Sequence, residues 1–483
     1  MTTTVADRPR HPKGLAVLFF TEMWERFGFY TMLAIFTLYL DEYFHFTSKG
    51  SIYGNFLMMV YFTPIVGGWI ADRWGFRRSI LTGAVLMAIG YALIAIPLPE
   101  KPEREAAVRA AEQVYQQQVA DYEARYEAAR AAAAASGEKL HWEERRPEYH
   151  GPQRTSRRPL FFLALAILVA GNGLFKPNIS VMVGNLYPDG SPLKDAAFNI
   201  FYMGINIGAM IAPLAAAWLR NTYGWSAAFG AAAAGMLISI LIFQGFRRHI
   251  AHAEIRHAND DSVETIALTP TEVRQRVAAL VTIFLIVIVF WMSFHQNGFT
   301  MTLLARDNMG PLFGRIQIPP EVFATFNPLF VVAFTPLLVM FWGALRRRGK
   351  EPSTPGKMVV GMLLTAAAFG ILALACVAGA NYARVSPLWL IGSYAVVTVG
   401  ELCLSPMGLS FVSKVAPPHM RGLMMGGWFG ATAIGNKLAG AIEPLWEKWL
   451  HSQFFLFLVV TCLVMALVLS LFLGRLKEAT AGH

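Results

Sequence analysis

The chain has 483 residues, of which 55% are hydrophobic and only 15% are charged, and its mean hydropathy is +0.44. Soluble domains carry about 25% charged residues, so this composition excludes an ordinary soluble protein. The net charge of +10 is distributed among loops between apolar segments, and this pattern does not indicate a nucleic-acid-binding protein.

Twelve apolar runs predict an all-α polytopic membrane protein, because a helix needs roughly 20 residues to cross a bilayer. The first run is too long and too charged for a signal-peptide core, so we expect no cleavable signal. The predicted segments are 14–39, 51–71, 79–98, 160–186, 196–219, 225–246, 277–304, 321–345, 358–378, 387–412, 422–446 and 454–474.

The first segment carries three charges at its centre, Glu22, Glu25 and Arg26. Each such group costs about 2.5–3.5 kcal/mol at the middle of a membrane helix on insertion scales. Helical spacing places them on one face together with Phe29 and Tyr30. That face is therefore predicted to meet a partner or a polar cavity.

The end of the second segment and the short loop after it contain Gly67, Gly68, Asp72, Arg73 and Arg77. The two glycines allow helix ends to approach, and the charged residues can cap and clamp the turn. The stretch resembles the G-x-x-x-D-R-x-G-R-R loop motif of the major facilitator superfamily. Its presence favours a twelve-helix fold in which two six-helix halves enclose a central cavity.

The domain organisation predicted from these segments is a six-helix bundle at 1–246, a polar linker at 247–276 and a second bundle at 277–483. The first bundle contains an insertion at about 100–158, with as many acidic as basic residues. Its sequence predicts a helix followed by a hairpin partner after Gly137. We expect the insertion to be a solvated appendage.

The short loops on the side of the N-terminus contain most of the Lys and Arg residues found in short loops. By the positive-inside rule this side is cytoplasmic. We therefore expect both termini in the cytoplasm and the insertion outside.

Four further polar residues lie in predicted segments and are candidates for ligand binding: Lys176, Asn206, Asn327 and Glu401. A lysine can bind a carboxylate or neutralise the first-segment carboxylates, and Glu401 suits an ammonium group. The two asparagines can bind a ligand or join helices.

Two further charged residues, Lys437 and Glu443, lie toward the outer end of the eleventh segment. For both of them, packing or extension of the charged group toward the interface is the favoured interpretation.

Tyr30, Tyr61, Trp291 and Trp428 are candidate pocket walls, although aromatic residues in membrane helices usually serve packing. The three cysteines are predicted to be buried and reduced, since no CxxC spacing is present; they are Cys376, Cys403 and Cys462. We expect no metal and no cofactor apart from protons as a coupling ion.

Several of these motifs occur together in one known family. The chain closely resembles the proton-dependent oligopeptide transporter (POT) family of the major facilitator superfamily. The first-segment hallmark E-x-x-E-R-F-x-Y-Y is matched by Glu22, Glu25, Arg26, Phe27 and Tyr30. The other matching residues are Phe201, Tyr202, Ile205, Asn206, Gly208, Lys176, Pro177, Asn178, Asn327, Pro328, Gly400, Glu401 and Leu402.

The resemblance implies inward symport of di- and tripeptides with protons by alternating access. It implies that the peptide carboxylate binds at Arg26 and Lys176. The peptide amino group is implied to bind at Asn206, Asn327 and Glu401.

The resemblance also implies that Glu22 and Glu25 couple protons by exchanging salt bridges with the lysine. The chain departs from the family pattern at Phe29, where a tyrosine is usual, and at Leu33 and His295, where the family commonly has an Arg–Glu gate pair. His295 is either a replacement proton site or a structural histidine.

Other functions remain open at this point. The same fold can carry nitrate or larger metabolites, although Glu401 argues against a purely anionic substrate. An enzyme using His295 or the first-segment carboxylates would need a nucleophile, metal cluster or cofactor motif, and we find none. A binding or sensor protein would use the pocket without turnover. For a transporter of this family we expect a monomer in the bacterial inner membrane.

Overall fold

A computed structural model of the protein describes residues 11–188, 193–254, 269–417 and 420–478. The fold is a bundle of long helices. In chain order the helices are α1 (Lys13–Leu38), α2 (Lys49–Trp74), α3 (Phe76–Ala95), α4 (Pro102–Ser136), α5 (Arg158–Asn185), α6 (Lys194–Tyr223), α7 (Trp225–Gly245), α8 (Pro270–Phe294), α9 (Thr300–Asn308), α10 (Phe326–Arg347), α11 (Thr354–Ala378), α12 (Leu388–Val415), α13 (Arg421–Ala441), α14 (Glu443–Lys448) and α15 (His451–Glu478).

The all-α membrane fold predicted from the sequence is confirmed. Within the described ranges, ten helical spans are long and apolar enough to cross a membrane. α1 and α13 complete the predicted set of twelve by length and position, and the centre of α1 holds Glu22, Glu25 and Arg26. The proposed boundaries of the two halves stay predictions, and residues 255–268 of the linker lie outside the described part.

Three predicted segments are interrupted rather than continuous. The seventh consists of α8, a 3-10 turn at His295–Gly298 and α9. The eighth begins with a 3-10 turn at Pro320–Thr325 before α10. The eleventh breaks at Ile442, between α13 and α14.

Helix contacts within the first half depend on close backbone approaches. A Cβ added at Gly67 would lie 1.9 Å from the carbonyl oxygen of Gly173, so α2 and α5 touch there through their backbones. An added Cβ at Gly68 meets nothing within 4 Å, so close packing does not explain this second glycine. Gly75 joins α2 to α3 with a φ of 90°, which favours glycine.

The charged residues of the loop motif act separately from one another. Arg73 lies over the ring of Trp69, with its Cζ 3.6 Å from the centroid. Arg77 donates to the side chain of Gln244 on α7 at 3.0 Å, so it holds the start of α3 against the end of α7. Asp72 is exposed, and none of the hydrogen bonds or ion pairs seen in the described residues uses it as a cap for the turn.

The two halves meet at the end of the bundle that carries α4, which we call the insertion end. Glu443 is buried and accepts a hydrogen bond from the backbone N–H of Gly50 at 2.9 Å. Thr37 is also fully buried and donates to the carbonyl oxygen of Gly298 at 2.6 Å. A Cβ added at Gly440 would lie 1.8 Å from the Gly50 oxygen. The bundle is therefore closed at this end.

Gly440→Ala is expected to part the halves at the insertion end, because the new methyl group overlaps Gly50. Overpacking costs about 1–3 kcal/mol, which is roughly a 5- to 150-fold shift away from the closed state. The reporter is the labelling rate of a Thr37→Cys variant by a water-soluble maleimide. Gly430→Ala on the same helix is the matched control, since nothing lies within 4 Å of its added Cβ. Equal labelling rates in the two variants would rule out this role for Gly440.

The insertion differs from the prediction in two ways. Its first part is the expected helix, α4, which ends at Gly137 in a left-handed conformation with a φ of 74°. Residues 138–157 that follow contain no helix, so the predicted helical hairpin is wrong. The insertion is also not a free appendage, because several of its side chains bind the second half of the molecule.

Candidate functional site

The three first-segment charges form a compact buried group. The Arg26 guanidinium contacts Glu25 at two points, one of them an Nη2–Oε1 hydrogen bond of 2.8 Å. Its Nε also lies 3.0 Å from Glu22 Oε1. All three side chains are at most 3% exposed. The predicted shared face is confirmed, and the charges compensate one another within one helix.

One carboxylate oxygen of this group is not compensated. Glu22 Oε2 is buried and has no hydrogen-bond partner within the described residues. A buried anionic oxygen without a partner is costly. It is also an atom on which a proton can sit without displacing an existing hydrogen bond.

Lys176 on α5 stands beside the α1 charges. Its Nζ lies 4.4 Å from the ring centroid of Tyr61 on α2, and it is close enough to interact electrostatically with the three α1 groups. The side chain of Asn172 donates to the carbonyl oxygen of Val60 at 2.9 Å. This bond sets α5 against α2 one turn before Lys176, which explains why the lysine faces Tyr61.

A second polar group lies on the other half of the molecule. Asn327 Nδ2 on α10 donates to Glu401 Oε2 at 2.9 Å and to Thr398 Oγ1 at 3.0 Å, both on α12. The structure thus brings together two predicted residues that are far apart in sequence. Thr398 was not predicted, and its position three residues before Glu401 is the only sequence signal for it.

Tyr30 connects the two groups. It interacts electrostatically with Arg26 on its own helix and with Glu401 on the opposite half. Tyr61 also interacts with both. Tyr30, Lys176 and Glu401 are all only partly buried. Because the insertion end is closed, we infer that this central site opens toward the other end of the bundle.

For two predicted site residues, the contacts seen in the structure are not with the other predicted site residues. The amide of Asn206 donates to the carbonyl oxygen of Tyr202 on its own helix at 2.9 Å. Trp428 is only 2% exposed and packs against Gly408, where an added Cβ would lie 1.9 Å from the ring. Tyr202 itself interacts with Glu401 and was not predicted as a site residue. The ligand roles of Asn206 and Trp428 stay predictions.

His295 lies at the end of α8, between the central site and the closed end. Its ring stacks on Trp291, with centroids 5.3 Å apart, and approaches Tyr61 edge-on at 6.0 Å. The side chain is 7% exposed, and its Nε2 has no hydrogen-bond partner in the described structure. Leu33 packs against the apolar core.

Several charged residues at the insertion end were not recognised from the sequence as a group. Arg306 pairs with Asp41, and Arg220 Nε lies 3.1 Å from Glu321 Oε1. Both pairs link the first half of the chain to the second. In each pair the partners are far apart in sequence, so spacing alone carries no signal for them.

The two charges of the eleventh segment have different environments. Lys437 is exposed, as expected for a lysine near the interface. Glu443 is 5% exposed and joins the halves through Gly50, and its Oε1 lies 4.0 Å from Lys49. The prediction that Glu443 serves packing or lies at the interface is therefore incomplete, because its carboxylate also joins the two halves.

The three cysteines are free and buried. No cluster of three or more His, Cys, Asp or Glu side chains suitable for a metal ion occurs in the part of the chain that the structure describes.

Comparison with known proteins identifies the family. A family model described as PTR2, POT family, matches residues 77–264 and 261–453. The chain belongs to the POT family. Among curated relatives, the peptide transporter YePEPT of Yersinia enterocolitica subsp. palearctica serotype O:3 (strain YE-P4) is 30% identical over 505 aligned positions, covering 89% of this chain and 87% of the relative.

Solved structures agree with this assignment. A mutant of a peptide transporter POT in complex with alafosfalin matches with a TM-score of 0.78 and 26% identity, covering 98% of this chain and 96% of the other. A POT family transporter in complex with 5-aminolevulinic acid matches with a TM-score of 0.77 and 25% identity, covering 96% and 97%. Members of this family are transporters and not enzymes, so the membrane-enzyme interpretation is excluded.

Proposed function

We propose that this POT family member is a proton-coupled symporter that imports di- and tripeptides by alternating access. The observation that carries the proposal is the central site. It has Arg26 and Lys176 on one half, Glu401 held by Asn327 on the other, and Tyr30 in electrostatic contact with both sides.

A short peptide in its zwitterionic form matches this arrangement. Its carboxylate suits Lys176 and Arg26, and its ammonium group suits Glu401 with Asn327 and Asn206. Lys176 is the more available cation, because Arg26 is already bound by two carboxylates. Relatives crystallised with alafosfalin and with 5-aminolevulinic acid support a ligand of this kind.

Charge balance supports proton coupling. The ionised Glu22 and Glu25 are balanced by Arg26 and Lys176, so the group is neutral without substrate. A peptide carboxylate docked on Lys176 adds a negative charge in a low-dielectric site, where an uncompensated charge costs several kcal/mol. Protonation of Glu22 or Glu25 restores neutrality, and the unpartnered Oε2 of Glu22 is available for that proton.

Glu22→Gln is expected to abolish proton-driven accumulation of peptide, because the amide keeps the shape of the side chain but cannot take up a proton. Counterflow, in which labelled peptide exchanges for unlabelled peptide across the membrane, should persist. The comparison is made in proteoliposomes, with Glu105→Gln on α4 as the matched control. Accumulation at the level of the unmodified protein would contradict a coupling role for Glu22.

His295 is proposed as a second proton site between the closed end and Lys176. Its charge change falls near neutrality when the ring is unperturbed. Glutamine cannot take up a proton, so His295→Gln should change the pH profile of uptake. If uptake and its pH profile are unchanged, His295 is a structural histidine that packs on Trp291.

We also propose the orientation given by the loop charges, with both termini cytoplasmic, the insertion outside and the protein acting as a monomer in the bacterial inner membrane. The central site would then face the cytoplasm in this structure, and the insertion end would be the closed outer end.

The substrate assignment is tested by competition against uptake of labelled dialanine. Unlabelled di- and tripeptides should compete, whereas nitrate and longer peptides should not. Competition by nitrate would favour the anion-transport alternative. Binding of dialanine without any uptake would favour a sensor.

A further inference from the structure

The insertion is attached to the first half of the molecule at its base. Glu112 on α4 accepts from His45 at 3.0 Å and from Arg154, which also donates to the carbonyl oxygen of Tyr43 at 2.7 Å. Although burial raises the pKa of Glu112, the contacts from His45 and Arg154 lower it below its ordinary value. Arg157 donates to the Tyr43 hydroxyl at 2.8 Å.

The far part of the insertion binds the second half instead. Arg145 donates to the hydroxyl of Tyr382 at 2.8 Å, and its other nitrogens donate to the backbone carbonyl oxygens of Glu447 and Trp449. One guanidinium therefore joins two separate parts of the second half, the loop after α11 and the C-terminal end of α14 with the residue that follows it.

A second contact lies beside this one. Glu123 on α4 pairs with Arg384 at 2.6 Å, and the Tyr126 hydroxyl accepts from the Arg384 backbone N–H at 3.0 Å. A small apolar cluster covers the junction and contains residues from both sides: Tyr122, Tyr126, Trp142, Tyr382 and Ala383. The junction thus has an apolar centre with charged contacts around it.

The insertion and the closed end together line a cleft of about 1150 Å³ that is partly open to its surroundings. The floor of the cleft includes the charges that link the halves, among them Asp41, Lys49 and Arg306. Its other side is formed by insertion residues such as Tyr115 and Tyr149.

We propose that residues 102–157 form a strap that holds the two halves together at the insertion end and must release from the second half each time that end opens. The strap is anchored to the first half through Glu112 and Arg157 and to the second half through Arg145 and Glu123. Both sets of anchor contacts can persist only while the first and second halves keep their present separation at the insertion end.

The strap adds a gate to the proposed transport cycle. Opening at the insertion end separates the first-half anchor from the second-half anchor, so either the Arg145 and Glu123 contacts break or the base detaches. The second-half contacts are the ones expected to break, because Arg384 and Glu123 are each about 30% exposed and water can replace their hydrogen bonds.

The test measures opening directly with the Thr37→Cys reporter. Thr37 is fully buried at the junction of the halves, and the three native cysteines are buried as well. The protein is placed in lipid nanodiscs, where both faces are accessible to a water-soluble maleimide. The result therefore depends neither on the proposed orientation nor on transport, so it can fail independently of the proposed function.

Arg145→Ala should raise the reporter labelling rate by roughly 10- to 150-fold, the factor expected when one charged hydrogen-bonding group is lost. Arg384→Ala breaks the junction from the opposite side and should raise the rate in the same direction. Arg125→Ala is the matched control, because Arg125 pairs with Glu144 inside the insertion at 2.9 Å. Its labelling rate should equal that of the reporter alone.

The proposal is overturned if Arg145→Ala and Arg384→Ala both label no faster than the reporter alone. It is also overturned if both label faster than the reporter but Arg125→Ala labels as fast as they do, because the effect would then reflect loss of insertion structure rather than loss of the junction.

Discussion

Lys176→Gln is expected to reduce dialanine affinity by roughly 30- to 5000-fold, since loss of one partner from a buried charge pair costs about 2–5 kcal/mol. The lysine is the cation beside Tyr61 that is not already bound by a carboxylate on α1. Its loss also leaves Glu22 and Glu25 with a single compensating charge. The measurement is dialanine binding to the purified protein.

The matched control is Lys437→Gln, which removes the same charge from an exposed position on α13 and should leave binding unchanged. A substrate analogue sharpens the test. Dialanine amide lacks the carboxylate, so it should bind weakly to the unmodified protein and lose little more when Lys176 is replaced. Equal losses for dialanine and its amide would show that Lys176 does not recognise the carboxylate.

Glu401→Gln is expected to weaken dialanine binding by roughly 10- to 150-fold, the equivalent of a charged hydrogen bond worth about 1.5–3 kcal/mol. Glutamine can still accept the hydrogen bond from Asn327 that Glu401 accepts at 2.9 Å, so the local packing of α10 against α12 should survive. What is removed is the negative charge that faces Tyr30 and the first half.

Here the diagnostic analogue is N-acetyl-dialanine, which has no ammonium group. It should bind weakly to the unmodified protein and be almost insensitive to Glu401→Gln. If the acetylated peptide loses as much affinity as dialanine, Glu401 acts through the structure of the pocket and not by binding the amino group.

The fold could largely be predicted from the sequence because the cost of burying polar groups in a bilayer sets the length and composition of each span. The helix breaks at His295 and Ile442 could not, because apolar runs continue across them. The Glu22–Arg26 contact was predictable because it joins positions four residues apart on one helix.

Contacts between distant parts of the chain were predictable only where family resemblance supplied them. Asn327 and Glu401 are separated by 74 residues, and nothing in their local sequence indicates that they meet. The contact of Arg145 with Tyr382 spans 237 residues and lies in a segment outside the family pattern. The sequence did not indicate that the solvated insertion binds the second half, because a charge-balanced, Ala-rich helix gives no sign of what its side chains will bind.

The central claim is that a proton gradient drives peptide across the membrane through the site formed by Lys176 and Glu401. Its most direct test is accumulation of labelled dialanine in proteoliposomes with and without an inward proton gradient. We predict accumulation above the external concentration when the gradient is imposed, and a return to that concentration when an uncoupler dissipates it. Equal internal and external concentrations in the presence of a maintained gradient would contradict the proposed symport.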